Sequence, residues 1–178
     1  MNILIYGSKG WIGAMVCNEV GKQDIPFCCG EARVDDTLRV SEELDALKPT
    51  HVMCIVGRTH GEGYSTIDYL EQPGKLVENV KDNLYAPVSL ALLCKERGIH
   101  LTYLGTGCIF SQDPMLIAES QGYREDSLPD FFGSSYSTVK GFTDRIMHQL
   151  DNVLNLRIRM PIVGYDHPRN FITKIKGY

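Results

Sequence analysis

Tyr136 and Lys140, in the run Tyr-Ser-Thr-Val-Lys, are the two side chains of this sequence whose types and spacing best suit chemistry. On a helix, positions four apart share a face, so the phenol and the ammonium project together. A nearby cation favours the phenolate, which lets the phenol exchange a proton with a carbonyl or alkoxide near neutral pH. A hydroxyl able to orient that carbonyl belongs at the end of a neighbouring strand, and Thr106 in Leu-Gly-Thr-Gly-Cys-Ile-Phe (104–110) supplies it. Capping its own turn is the plainer use of the same hydroxyl. A surface tyrosine and a solvated lysine also give this spacing. The pair stands out because it opens the helix after the fourth expected strand, behind Gly-Ser-Ser.

A second constellation lies at the N-terminus. Gly7, Ser8, Lys9, Gly10, Trp11, Ile12 and Gly13 join the first apolar run to the first helix. Glycines at these places let the backbone turn tightly and let a pyrophosphate approach the helix N-terminus, where free N–H groups and the helix dipole favour negative charge. The spacing is GxxGxxG rather than GxGxxG, but its place directly after an N-terminal strand marks a dinucleotide site. Beyond the second strand, Arg33 suits the 2′-phosphate of NADP, and Glu31 suits the free ribose hydroxyl of NAD. NADPH is the favoured cofactor and NAD the alternative, although two solvated loop charges would look the same. Arg58, Thr59 and His60 follow the third strand at its carboxyl end, where they could position a sugar or a diphosphate.

These groups need a scaffold. Short apolar runs at residues 2–6, 26–30, 51–56, 99–104 and 154–158 read as buried parallel strands. Helices are expected at 11–22, at 41–47 with Ser41 as cap, at 76–97 with a kink or break at Pro87, and at 136–150. The segment 58–74 is long for a connector, which favours function over idleness, and 111–133 is polar and irregular. Alternating strands and helices give an α/β doubly wound parallel sheet of the Rossmann type in one domain, residues 1–178, with ligands beyond the carboxyl ends of the strands. Nothing after residue 158 is long enough for a second, substrate-binding lobe.

The chain has 178 residues, 43% hydrophobic and 22% charged, with net charge −4. That charge gives no support to nucleic-acid binding. No apolar span of membrane length occurs. The six cysteines form no CxxC pair, so free, mostly buried thiols are expected, with no metal site and a cytoplasmic location. A homodimer is common for such folds.

The motifs GSKGWIG, Asn83 within NVKDNLYAP, Thr106, YSTVK and LRIRMP together resemble the extended short-chain dehydrogenase family. GTGCIF (105–110), PDFFGSSYS (129–137) and RMPI followed by PRNFITKI (168–175) narrow the resemblance to nucleotide-rhamnose synthases, the UDP-4-keto-6-deoxyglucose 3,5-epimerase/4-reductases of plants and large DNA viruses. Residues 57–85 look most like the viral branch. The resemblance implies that Thr106, Tyr136 and Lys140 form a reductase triad, and that the glycine turn and Lys140 hold the cofactor. It further implies Cys108 and Lys174 as proton carriers at C3 and C5 of the sugar, and Asn83 among the substrate-side residues. A packed cysteine and a surface lysine are the plainer readings of that last catalytic pair. Family members continue with a C-terminal portion that completes the sugar-nucleotide pocket, a lobe missing from residues 1–178. Two other readings share these motifs: a reductase without epimerase activity, resembling dTDP-4-dehydrorhamnose reductases, and a noncatalytic dinucleotide-binding module.

Overall fold

A computed structural model describes residues 1–111 and 122–177. The expected polar segment 111–133 therefore falls partly outside the described residues. β1 (Ile3–Tyr6) is buried along its whole length. It pairs in parallel with β2 (Phe27–Cys29) on one side and with β3 (His51–Cys54) on the other. A strand enclosed on both edges and both faces has no position for a polar residue, which is why the run is unbroken in its apolar character. β4 (His100–Thr106) and β5 (Val153–Ile158) extend the parallel sheet in the order β2-β1-β3-β4-β5. The chain leaves β1 for one side of the sheet and then crosses to the other. A crevice therefore opens between the carboxyl ends of β1 and β3.

α1 (Trp11–Lys22) has the expected limits. Two of its glycines are dictated by sterics. Gly7 has φ 87, and a Cβ there would stand 2.8 Å from the carbonyl of Ile55. A Cβ on Gly13 would stand 2.0 Å from the Gly7 oxygen, so α1 can lie against the turn only without a side chain at that point. α2 (Thr37–Leu47) starts four residues earlier than expected. Its cap is Asp36, which accepts from the Arg39 N–H at 3.2 Å, whereas the Ser41 hydroxyl accepts from Arg97 at 2.6 Å.

The long helical stretch is α3 (Leu76–Val80), a widened π turn (Lys81–Tyr85) and α4 (Ala86–Glu96). Pro87 sits in the first turn of α4 and does not break the run. Lacking an N–H, it leaves the Asn83 carbonyl without its helical donor, and the widened turn accommodates the ring. The Thr143 hydroxyl, from the neighbouring α5 (Ser135–Met147), donates to that carbonyl at 2.7 Å. A short α6 (Phe171–Lys176), capped by Asn170, follows β5. Leu4, Val52, Leu90, Leu101 and Met147 belong to the main core, where α4 and α5 press on the sheet.

Among the described residues all six cysteines are free. Cys54 and Cys94 are buried, whereas Cys17, Cys28 and Cys108 are half-exposed and Cys29 is exposed. The expectation of mostly buried thiols is corrected accordingly. Among the described residues no helix is long and apolar enough to cross a membrane.

Candidate active site

The crevice at the carboxyl ends of β1 and β3 holds a cleft of about 390 Å³. Gly7 and Lys9 of the glycine turn form one wall, Arg58 and His60 another, and Arg33 and Asp35 a third. The loop that carries Arg33 is held from α2, since the Glu43 carboxylate accepts from the Glu31 N–H at 2.8 Å and from the Tyr6 hydroxyl at 2.7 Å. The Arg33 side chain is 69% exposed at the cleft, with Nε 3.0 Å from Asp35 and Nη2 3.9 Å from Asp82. Ser8, Trp11 and Ile12 are half-buried along the turn, and Gly10 is exposed.

Thr106, Tyr136 and Lys140 lie outside this cleft, where β4 ends and α5 begins, and all three are buried, at 8%, 6% and 4% exposure. Thr106 and Tyr136 are both tied to Cys108: the Thr106 hydroxyl oxygen accepts from the Cys108 N–H, and Cys108 packs against the Tyr136 ring. Burial is the main cause that pushes the Tyr136 pKa up to about 12, with Cys108 acting the same way and Thr106 opposing. Burial also brings the Lys140 pKa down to about 8. The expected direct effect of Lys140 on the Tyr136 phenol is corrected here. The ammonium donates instead to the Tyr103 hydroxyl, from a position over the Tyr103 ring. Tyr103 is fully buried on β4, three residues before Thr106, and only its place in the strand could have signalled this role.

Cys108 is half-buried and packs against the small cluster of Tyr69, Leu70 and Tyr136. Its N–H donates to the Thr106 hydroxyl oxygen at 3.1 Å, and its carbonyl accepts from the Ser137 hydroxyl at 2.8 Å. Thiol, phenol and threonine are therefore brought together. Lys174 is exposed on α6, and no hydrogen bond or ion pair joins it to Cys108 or Tyr136. Arg58 lines the cleft, but its Nε is 3.0 Å from Asp82 and 3.2 Å from Glu78, so two carboxylates already neutralise it. Thr59 is half-buried, with its hydroxyl 3.4 Å from His60 Nδ1. Asn83 departs from the expected substrate-side role. It is 1% exposed, and its amide accepts from the Arg58 N–H and donates to the Arg58 carbonyl, both at 3.0 Å. Its direct object is the loop after β3, because the π turn points the side chain inward.

Glu71 was not singled out by the sequence. It belongs to a 3-10 turn (Ile67–Glu71) inside the long 58–74 segment. Its carboxylate accepts from the Ser135 and Tyr136 N–H groups at 2.8 and 3.0 Å, and so caps the helix that carries the phenol. No local pattern could have revealed it, because the partners are 64 and 65 residues away.

No family model matches the chain. The L780 protein of Acanthamoeba polyphaga mimivirus is 58% identical over 179 residues, covering all of this chain and 62% of that protein. The crystal structure of that L780 UDP-rhamnose synthase aligns with TM-score 0.95 and 57% identity, over 100% of this chain and 62% of the other. A bifunctional dTDP-4-dehydrorhamnose 3,5-epimerase/dTDP-4-dehydrorhamnose reductase of Arabidopsis thaliana is 36% identical over 99% of this chain and 58% of its own length. A dTDP-4-dehydrorhamnose reductase of Bacillus anthracis, solved with NADP, shares the fold at TM-score 0.78 and 16% identity, over 99% of this chain and 59% of the other. The chain is thus a homologue of the nucleotide-rhamnose synthases, a Rossmann-type α/β unit spanning 62% of the length of the viral synthase it matches.

Proposed function

We propose that the chain provides the cofactor site and the reducing centre for converting UDP-4-keto-6-deoxy-D-glucose to UDP-L-rhamnose, by epimerisation at C3 and C5 and NADPH-dependent reduction at C4. The observation that carries this reading is the gathering of Thr106, Cys108 and Tyr136 at the carboxyl end of β4, one strand from the glycine-turn cleft. The cleft suits a dinucleotide. Gly7 and Gly10 present bare backbone at the start of α1, and Lys9 and Arg33 add positive charge at the rim, with Arg33 placed for a 2′-phosphate. NADPH, or NAD in its alternative, would be held by residues 7–13, Arg33, Tyr136 and Lys140, and when bound it supplies the hydride for C4.

With its pKa near 12, the Tyr136 phenol keeps its proton at neutral pH and can pass it to the C4 oxygen. Thr106 orients the carbonyl, and Lys140, steadied by the Tyr103 hydroxyl, would reach the cofactor ribose. Cys108, beside Tyr136, is placed to move a proton at a carbon made acidic by the 4-keto group, with Lys174 as the second carrier. Arg58 and His60 line the cleft and, with Thr59 between them in sequence, would form its substrate side, with Asn83 fixing the Arg58 backbone. A homodimer completes the proposal, because α5 leaves Phe142 and Ile146 exposed by 54% and 38%.

The test is to incubate the protein with UDP-4-keto-6-deoxyglucose and NADPH in deuterated water. UDP-rhamnose labelled at C3 and C5 is expected. Replacing Tyr136 by Phe should slow reduction by about 10²–10⁴-fold, far more than it weakens NADPH binding. A Tyr136→Phe protein with the full rate would overturn the triad. The exposure of Lys174 favours a second reading, reduction alone. In that case the product carries no label, and Cys108→Ala has no effect on exchange.

A further inference from the structure

The segment between β5 and α6 holds a cation that the proposed chemistry does not use. Arg169 is half-buried and, among the described residues, its guanidinium meets no carboxylate. Its nearest polar partner is His60, whose Nε2 lies 2.7 Å from Nη2. Burial, then the neighbouring Arg169 and Arg58 guanidiniums, keep the His60 pKa below its usual value. The imidazole is therefore a neutral acceptor, and the charge of Arg169 stays uncompensated. A partly buried cation in that condition favours an anion.

Two further contacts fix where such an anion would lie. The Arg169 N–H donates to His167 Nδ1 at 3.1 Å, and the His167 ring stacks on Trp11 with centroids 4.7 Å apart and planes 3° from parallel. Trp11 is the first residue of α1, so the stack fastens the Arg169 segment onto the glycine turn. Among the described residues the Trp11 indole Nε1 is buried without a partner, an unmet donor on the residue that carries the stack. On the opposite side His60 and Lys9 both line the cleft. The Arg169 guanidinium therefore reaches the cleft through His60, a lining residue that it shares with Lys9. The planar fork of an arginine matches phosphate oxygens two at a time.

We propose that Arg169 is a diphosphate-binding residue, held ready by His60 and by the Trp11–His167 stack until the anion takes over its guanidinium. The inference deepens the function proposed above and rests on it. Both NADPH and a UDP-sugar bring a diphosphate, so binding by calorimetry is measured separately for NADPH, for UDP and for adenosine 2′-phosphate, which has no diphosphate. In Arg169→Ala the affinity for NADPH or for UDP should fall about ten- to a hundred-fold, as for a lost charge-assisted hydrogen bond. Adenosine 2′-phosphate should bind as before, which shows the fold intact. Arg169→Lys should recover only part of the loss, because a point charge lacks the fork. A loss confined to NADPH assigns the residue to the cofactor, and a loss confined to UDP assigns it to the sugar nucleotide. Unchanged affinity for both, or an equal loss for adenosine 2′-phosphate, would overturn the proposal. A parent protein that binds neither NADPH nor UDP would remove the underlying function, and this inference with it.

Discussion

Lys140 is the residue whose environment most constrains behaviour with pH. Burial lowers its pKa from 10.5 to about 8, so the charged form falls away as pH rises through about 8. Reduction that relies on this ammonium should decline over the same range, read from the pH profile of kcat. Stability moves in the opposite direction. Between pH about 8 and 10.5 the unfolded chain still holds the proton that the folded chain has released. Folding is then favoured progressively as pH rises, by roughly 1.4 kcal/mol per pH unit inside that window. Below about 8 both states are protonated, and the cost of burying the charge is felt in full. Between neutral pH and the middle of that window, the protein should gain about 2 kcal/mol relative to Lys140→Met. Urea midpoints at the two pH values check it, and parallel curves for the two proteins would refute the burial of a charged lysine. Tyr136, pushed up to about 12, contributes no step in the profile over this range.

At the level of elements, much of the frame was legible because its causes are local. The apolar runs, the glycine turn and the limits of α1 follow from neighbours in sequence, as does the helix that begins before Tyr136. What escaped depends on distant partners. Ser41 looked like a cap because serine is a good one, but Asp36 stands one turn earlier and Arg97 occupies the serine hydroxyl. Asn83 looked like a ligand residue because asparagine is polar, yet the π turn directs it into the backbone after β3. Glu71 belongs to this second group and gives the long 58–74 segment a purpose. It anchors the first turn of α5, and the Tyr69 and Leu70 side chains beside it pack under Tyr136. Glu71→Ala should lower unfolding stability by about 1–2 kcal/mol through loss of the cap. Because the freed turn carries the phenol, kcat should fall several-fold while NADPH affinity stays level. Equilibrium denaturation and binding measured on the same preparation separate the two effects. A variant that lost stability but kept kcat would show that the cap serves the helix alone.

Across the whole molecule, the parallel sheet assigns different duties to its two ends. All strands point the same way, so the glycine turn, Arg33, Arg58, Thr106 and the start of α5 gather where the strands finish, away from the rim where the strands begin. Two glycines with left-handed backbones test that division. Gly7 has φ 87 and lies at the carboxyl end of β1, with the Ile55 carbonyl 2.8 Å from where a Cβ would be. Gly98 has φ 65 and lies just before β4 at the opposite rim, with nothing within 4 Å of the equivalent point. Both sites resist a side chain by conformation, at a cost of about 1 kcal/mol. Only Gly7 adds a backbone clash and stands where a diphosphate would approach α1. Gly98→Ala should therefore lower the denaturation midpoint modestly and bind NADPH with unchanged Kd. Gly7→Ala should lose far more stability, and whatever folded protein remains should bind NADPH at least tenfold more weakly, since the Ile55 backbone just after β3 must shift to admit the methyl group. If the two variants weakened NADPH binding equally, the cofactor would not lie at the carboxyl end of the sheet, and the site built from Thr106, Tyr136 and Lys140 would lose its hydride donor.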